Sequence, residues 1–352
     1  MSDLVNQYAE NIRAAADAGN PLHIRGGGSK DFYGNTGNGT LLDVSAHRGI
    51  IDYEPTELVI TARGGTPLAE IEAAMHDKGQ MLGFEPPHFD GGATLGGCIA
   101  AGLSGPRRPY AGSVRDFVLG VRILDGRGTD LRFGGQVMKN VAGYDVSRLV
   151  TGSMGTLGVI LEVSLKALPL PPAEMTLSRE QSRVEAIALM NSWAGQPLPI
   201  TGTCHVQKRL FVRLVGAESA VRAAAKKIGG EAVDNATEFW RNVRDQQDLF
   251  FSGIRPTWRI SLRSTAAELD LTGPQLIEWN GALRWLKTDD DANTVREAAR
   301  KADGHATLFR RGNSGVGAFH PLPETLMRLH RRVKAAMDPA GILNPGRMYP
   351  EL

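Results

Sequence analysis

Residues 21–30 read Pro21-Leu22-His23-Ile24-Arg25-Gly26-Gly27-Gly28-Ser29-Lys30. A short strand, Pro21 to Arg25, runs straight into three successive glycines. Lacking Cβ atoms, these can turn sharply and aim consecutive backbone N–H groups into one concavity, a nest for anions and above all phosphates. Ser29 and Lys30 add a hydroxyl donor and a positive charge. Taken alone, the same residues also read as a flexible turn.

Upstream, Leu4, Tyr8, Ile12 and Ala15 share one face of a helix over 3–18, which Gly19-Asn20-Pro21 stops. Downstream, short strands are expected at 41–44 and 57–62. Thr66-Pro67 opens a helix carrying Leu68, Ile71 and Met75, closed by Gly79. Residues 83–113 read as a long irregular stretch dense in small residues. Its centre, Gly91 to Gly102, looks too irregular for a helix and too poor in charge for a solvated loop. A flat cofactor lying on bare backbone explains it; a packed helix terminus of small residues is the alternative. A hairpin is expected over 117–133, turning at Asp125-Gly126-Arg127-Gly128. A third glycine group, Gly152, Gly155 and Gly158, leads into a strand at 157–166. There Leu157, Val159, Leu161, Val163 and Leu165 face one way, and Glu162, Ser164 and Lys166 the other. Pro169, Pro171 and Pro172 mark a boundary.

The later part reads as an antiparallel sheet with helices on one face. Strands are expected near 203–215, 257–263 and 281–287, and helices at 217–228 and 290–302. Leu326, Leu329, Val333 and Met337 form a last helical stripe, broken at Asp338-Pro339. A tail follows, Ala340-Gly341-Ile342-Leu343-Asn344-Pro345-Gly346. Of the 42 glycines in 352 residues, 28 precede residue 171, so the requirement for bare backbone is concentrated in the first half.

The bulk numbers exclude several classes. With 40 Lys+Arg against 38 Asp+Glu, the net charge is +2 and gives no global attraction to nucleic acid or an anionic membrane. Two cysteines, Cys98 and Cys204, fit a reducing compartment and cannot ligate an iron–sulfur cluster, which normally takes four thiolates. Cys98 lacks a C-x-x-C partner and reads as a buried, inert thiol. The start, Met1-Ser2-Asp3, shows no secretory signal, and no apolar run approaches the ~18–20 residues of a membrane span. The expected location is cytoplasmic, or peripheral at the inner membrane through partners. Phosphate-loop, G-x-G-x-x-G, H-E-x-x-H and G-x-S-x-G motifs are absent. The eight histidines show no metal-ligand spacing, so no metal site is expected. His88, after Glu85-Pro86-Pro87, is the best single histidine candidate. Arg107-Arg108 and Arg310-Arg311 could hold an anion.

The order of these motifs is more specific than any one of them. The glycine loop at 25–29, Thr94-Leu95-Gly96-Gly97, Gly155-Thr156-Leu157-Gly158 and Asn344-Pro345-Gly346 resemble, in that order, the FAD-binding proteins of the vanillyl-alcohol oxidase and p-cresol methylhydroxylase superfamily. The likeness covers 20–168 and the last fifteen residues. A closer likeness, to the FAD-binding subunits of bacterial glycolate oxidases, is carried by the stretch from Lys139 to Leu149, by Pro106 to Gly112, and by Ile277-Glu278-Trp279.

The resemblance implies an α+β chain. A two-subdomain FAD-binding domain of the p-cresol methylhydroxylase type would span 1–170, and an antiparallel-sheet-and-helix cap 171–330. Residues 331–352 would return to the FAD-binding domain. It implies that Arg25, Gly26, Gly27, Gly28, Ser29 and Lys30 hold the pyrophosphate. Thr94, Gly96 and Gly97 would lie along phosphates and flavin. Gly155, Gly158 and Ile160 would lie along the cofactor, the last two at its adenine end or the ribose there, and Asn344 near the flavin ring. Ser29 stands where some relatives carry an attaching His, so non-covalent FAD is expected. Met154 stands where many relatives have Glu.

The implied activity is oxidation of glycolate or another small 2-hydroxy acid, beside a larger flavoprotein subunit and an iron–sulfur subunit. No catalytic residue is fixed by a motif; His88, Arg108, Arg310 and His320 are candidates for base or carboxylate anchor. A self-sufficient flavin oxidase and a non-catalytic scaffold are the competing readings.

Overall fold

The computed structural model describes residues 2–89, 91–135, 144–312 and 315–352. Residues 139–143 of the stretch carrying the closer likeness lie outside them. The chain is α+β and forms two compact units, one of residues 1–103, 113–169 and 321–352, the other of 104–112 and 170–320.

In the first unit the helix Ser2–Ala18 buries Val5, Tyr8, Ile12 and Ala15 against Leu22, Leu42 and Leu343. The strand Leu22–Arg25 pairs in parallel with Thr40–Asp43. On its other side Leu343 bridges Leu22, so the C-terminal tail adds a third strand segment to this pair. A five-stranded antiparallel sheet runs in the order Ile50–Glu54, Val59–Arg63, Val159–Lys166, Val118–Leu124, Asp130–Gly134. Its central strand, Val159–Lys166, is covered on both faces. Ser164, expected to point outward, is buried, and its hydroxyl lies 2.8 Å from that of Thr61. The edge strand Ile50–Glu54 buries no residue fully, which is why no apolar alternation announces it.

Residues 91–102 correct the sequence reading. Leu95–Ala101 is a helix, capped by the Thr94 side chain and ended by Gly102 with φ +67°. The small residues serve packing. The Gly96 amide donates to Gly64 O at 2.7 Å, and a Cβ at Gly96 would stand 3.0 Å from that oxygen. The helix Glu324–Met337 forms as expected, but the stripe that announces it does not face inward. Leu326 and Leu329 are exposed, whereas Met327 and Lys334 are buried.

The second unit is an eight-stranded antiparallel sheet. Its order is Glu231–Ala232, Ala173–Glu180, Arg209–Gly216, Ile200–Val206, Gln275–Glu278, Leu283–Lys287, Thr257–Ser261, His305–Arg310. The helices Arg183–Ala194 and Glu218–Ile228 bury Ile187, Met190, Val221 and Ala224 against Leu177, Leu210, Val212 and Leu214. The helix Ala292–Lys301 packs Val295 and Ala299 on Trp258, Ile260 and Leu308.

Residues 104–112, placed within 1–170 on sequence grounds, cluster with this unit. Gly105 O accepts from Trp279 Nε1 at 3.1 Å, and the Tyr110 hydroxyl donates to Asn280 Oδ1 at 2.7 Å. Trp279 and Asn280 hold φ of +54° and +58°, an uncommon left-handed pair of non-glycine residues fixed by these contacts. Among the described residues no helix is long and apolar enough to cross a membrane.

Candidate functional site

The first unit contains an open cleft. It is lined by Val44 and by four chain segments far apart in sequence: 23–31, 94–101, 154–160 and 344–347. Arg25, Gly26, Gly27, Gly28, Ser29, Lys30, Thr94, Gly96, Gly97, Gly155, Gly158, Ile160 and Asn344 all line it.

The glycine loop is a turn held from both sides. Gly28 sits at φ +75°, a conformation that favours glycine. A Cβ there would strike the Arg25 guanidinium, which folds across the loop to Asp31 at 2.7 Å. Gly27 passes directly under the Gly92 carbonyl, so closely that any Cβ would collide with that oxygen. A Cβ on Gly26 would lie 2.5 Å from Thr94 Oγ1. The loop is therefore pressed against segment 92–97, and both border the cleft. The amides of Gly27, Gly28 and Ser29 donate to no acceptor among the described residues. A row of such donors at bare backbone suits a phosphate group.

Lys30 brings its charge into this region while 9% exposed. Its Nζ lies 3.3 Å from Ser29 Oγ and 5.5 Å from the Phe89 ring centre. Nearby Cys98 is fully enclosed, and burial pushes its thiol up to about 12 despite the Lys30 charge. It stays protonated at neutral pH and cannot act as a nucleophile.

The far wall is built by the turn at 152–156 and the tail. Gly152 N and Met154 N donate to Ile99 O and Ala100 O at 2.9 and 2.8 Å, so the turn docks on the end of helix Leu95–Ala101. Asn344 staples two segments. Its Oδ1 accepts from Ile24 N at 2.7 Å, and its Nδ2 donates to Met154 O at 2.7 Å. A Cβ on Gly155 would lie 2.6 Å from that Nδ2.

The tail itself is anchored by Lys334. Its buried Nζ donates to Thr156 O at 2.9 Å, Leu343 O at 2.7 Å and Asp338 Oδ2 at 2.7 Å. Asp338, with a wholly buried side chain, also accepts from Ile342 N and Leu343 N. Burial pushes the Lys334 ammonium down, while the Asp338 hydrogen bond and charge act the other way.

Residues 4–134 match the sequence model of an FAD binding domain, and residues 321–348 match that of the C-terminal domain of FAD linked oxidases. The chain is 54% identical over 350 residues to glycolate oxidase subunit GlcE of Escherichia coli, covering 99% of both chains. The chain belongs to the GlcE family of glycolate oxidase subunits.

More distant similarity covers only part of the chain. Glycolate oxidase subunit GlcD of Bacillus subtilis is 31% identical over 48% of this chain and 36% of its own. Among solved structures, alkyldihydroxyacetonephosphate synthase superposes with a TM-score of 0.67 over 97% of this chain and 74% of its own, at 15% identity. That is likeness of fold alone. As a member of this family the chain is an FAD-dependent oxidoreductase, and its cofactor is FAD.

Of the four candidates for base or carboxylate anchor, His88 belongs to the first unit and does not line the cleft, whereas Arg108, Arg310 and His320 belong to the second unit. His88 Nε2 lies 2.9 Å from Glu72 Oε2. Arg108 stacks on Trp279, its guanidinium carbon 4.5 Å from the ring centre. Arg310 donates to Gln246 Oε1 at 3.2 and 3.0 Å. His320 Nδ1 accepts from Ala306 N at 3.3 Å, and burial with Arg296 and Arg300 pushes its imidazole down.

Sequence reasoning passed over Arg347. It is 7% exposed and donates to the backbone oxygens of Asn35, Lys30 and Asp31, clamping the stretch after the glycine loop to the tail. A lone arginine directly after Asn344-Pro345-Gly346 was the available signal. Lys334 was hidden inside an apparently solvent-facing helix surface.

Proposed function

We propose that this chain is the FAD-holding subunit of a glycolate oxidase complex and that the cleft of the first unit takes FAD in extended form. The orphan amides of Gly27, Gly28 and Ser29 carry this reading. They face a cleft where three glycines remove the side chains that a bound group would displace. In this assignment residues 25–30 hold the pyrophosphate, with Lys30 balancing its charge. Thr94, Gly96 and Gly97 line its path, and Gly158 and Ile160 flank the adenine end. Asn344 acts through the backbone it fixes, because its amide is already committed to Ile24 and Met154. Ser29 offers no imidazole for a covalent link, so binding is non-covalent.

Residues 1–103, 113–169 and 321–352 then form the FAD-binding part, and 104–112 with 170–320 the cap. FAD, when bound, supplies the hydride acceptor for oxidation of glycolate to glyoxylate. The chain's residues position the cofactor. With both cysteines buried as free thiols, an iron–sulfur relay belongs to another subunit, as does a larger flavoprotein chain. The complex lies in the cytoplasm, at the membrane only through partners.

The test is to express the chain alone and record its absorption spectrum. FAD is expected near one per chain after reconstitution. A folded chain that takes up no FAD overturns the assignment. Turnover of glycolate by the isolated chain with an artificial acceptor would overturn the dependence on partners.

A further inference from the structure

The second unit holds a cavity of about 700 Å³ that the flavin reading does not use. It opens where the hairpin joining Ile200–Val206 to Arg209–Gly216 meets the start of Gln275–Glu278 and the end of Leu283–Lys287. These are the strand ends opposite the Trp279–Gly281 kink. Its volume is within the range of small-molecule sites.

Two features of its lining need explanation. Val206, Leu249, Phe250 and Pro274 give it an apolar wall, and Leu249 is 77% exposed at the mouth. Set into that wall are four cations: Arg183, Lys208, Arg255 and Lys287. Among the described residues no acid lines the cavity. Arg183 pairs with Glu268, and Arg255 with Asp289 at 2.9 Å. Lys208 and Lys287 have no carboxylate partner among the described residues.

Lys287 is the telling group. It is 8% exposed and its Nζ meets a single backbone oxygen, that of Ser252. A buried ammonium without a counter-charge is costly to keep. Burial and the neighbouring Arg255 charge both push it below its ordinary value. His205 also lines the cavity; its Nε2 contacts Gln181 O at 3.0 Å, while its buried Nδ1 meets no partner among the described residues. The turn at Gln207 and Lys208 holds φ of +50° and +65°, the left-handed pair that a two-residue hairpin between paired Val206 and Arg209 requires.

We propose that this cavity is a second ligand site, taking a small organic anion with an apolar body. The carboxylate or phosphate head sits on Lys287 between Arg183 and Arg255, and the body lies along Val206, Leu249 and Phe250.

Titration calorimetry of the full chain with naphthalene-2-carboxylate, its uncharged analogue 2-naphthamide, and inorganic phosphate tests this. The carboxylate should bind once per chain, at least tenfold tighter than either the amide or phosphate. Lys287→Met should remove the advantage over the amide, and Leu249→Asp should weaken both aromatic probes. Leu249 is too exposed for that change to unfold the unit, so it and Arg255→Gln decide the matter should Lys287→Met fail to fold. Equal binding of carboxylate and amide, equal binding by wild type and the variants, or phosphate as tight as the aromatic anion would each overturn the proposal.

Discussion

Replacing Lys334 by Met tests how the C-terminal tail holds the flavin cleft together. The side chain is similar in length and buried at the same place, so packing is nearly kept while the charge and three hydrogen bonds are lost. Asp338 remains with its side chain wholly buried, left with the amides of Ile342 and Leu343. Removing one partner of a buried pair costs about 3–5 kcal/mol. At about 1.4 kcal/mol per tenfold, this shifts the docking equilibrium of the tail by roughly 150- to 4,000-fold. The undocked tail loses the Asn344 staple and the Arg347 clamp together, since both follow Leu343 in the chain. FAD affinity should fall by that factor, less the reserve with which the tail docks in wild type. The assay is titration of the apo-chain with FAD by quenching of flavin fluorescence, alongside a urea melt. An unchanged Kd together with an unchanged unfolding free energy would refute the reasoning.

Three further outcomes follow from the same geometry. Gly27→Ala alone should sharply weaken FAD binding, because even a methyl collides with the Gly92 carbonyl; wild-type affinity would show that the loop does not cross there. His47 and His205 are each 5% exposed, and burial pushes both imidazoles down. The unfolded state then binds the extra protons, so stability is complete above about pH 6.5 and falls below it, by up to ~1.4 kcal/mol per pH unit for each histidine. Urea midpoints from pH 7.5 to 5 should show the decline, and His205→Gln should flatten it. Cys98, with its thiol pushed up to about 12 and 1% exposed, should resist iodoacetamide at pH 8 until urea unfolds the chain. Modification of the native protein at the free-thiol rate would contradict that environment.

Much of the cleft was legible in the sequence because its requirement is compositional. Backbone that approaches other backbone or a ligand needs glycine, and glycine clusters are visible without a structure. The same logic misled at 91–102. The stretch looks too irregular for a helix, yet Leu95–Ala101 is a short helix in which Gly96 allows the close approach to Gly64. Periodicity found the helix Glu324–Met337 but not its buried side. Leu326 and Leu329 suggested one face, while a cation, Lys334, occupies the other. A buried charge is recognised by its partners, and Thr156, Leu343 and Asp338 are neighbours only after folding.

Asn344 shows how far a family motif carries a residue's role. Likeness to the superfamily puts it near the flavin ring, and it does line the cleft. Both ends of its amide are nevertheless spent on backbone, and its own backbone is left-handed at φ +44°. Asparagine adopts that conformation more readily than most residues and also supplies a donor and an acceptor on one short side chain. Asn344→Asp keeps the acceptor for Ile24 but turns a buried oxygen toward Met154 O. Asn344→Gly keeps the backbone conformation and removes both bonds. If the residue works by stapling, both variants should weaken FAD binding, the aspartate more because its charge is left buried beside a carbonyl. If it worked by touching the flavin, the glycine variant should instead shift the flavin spectrum while leaving thermal stability unchanged.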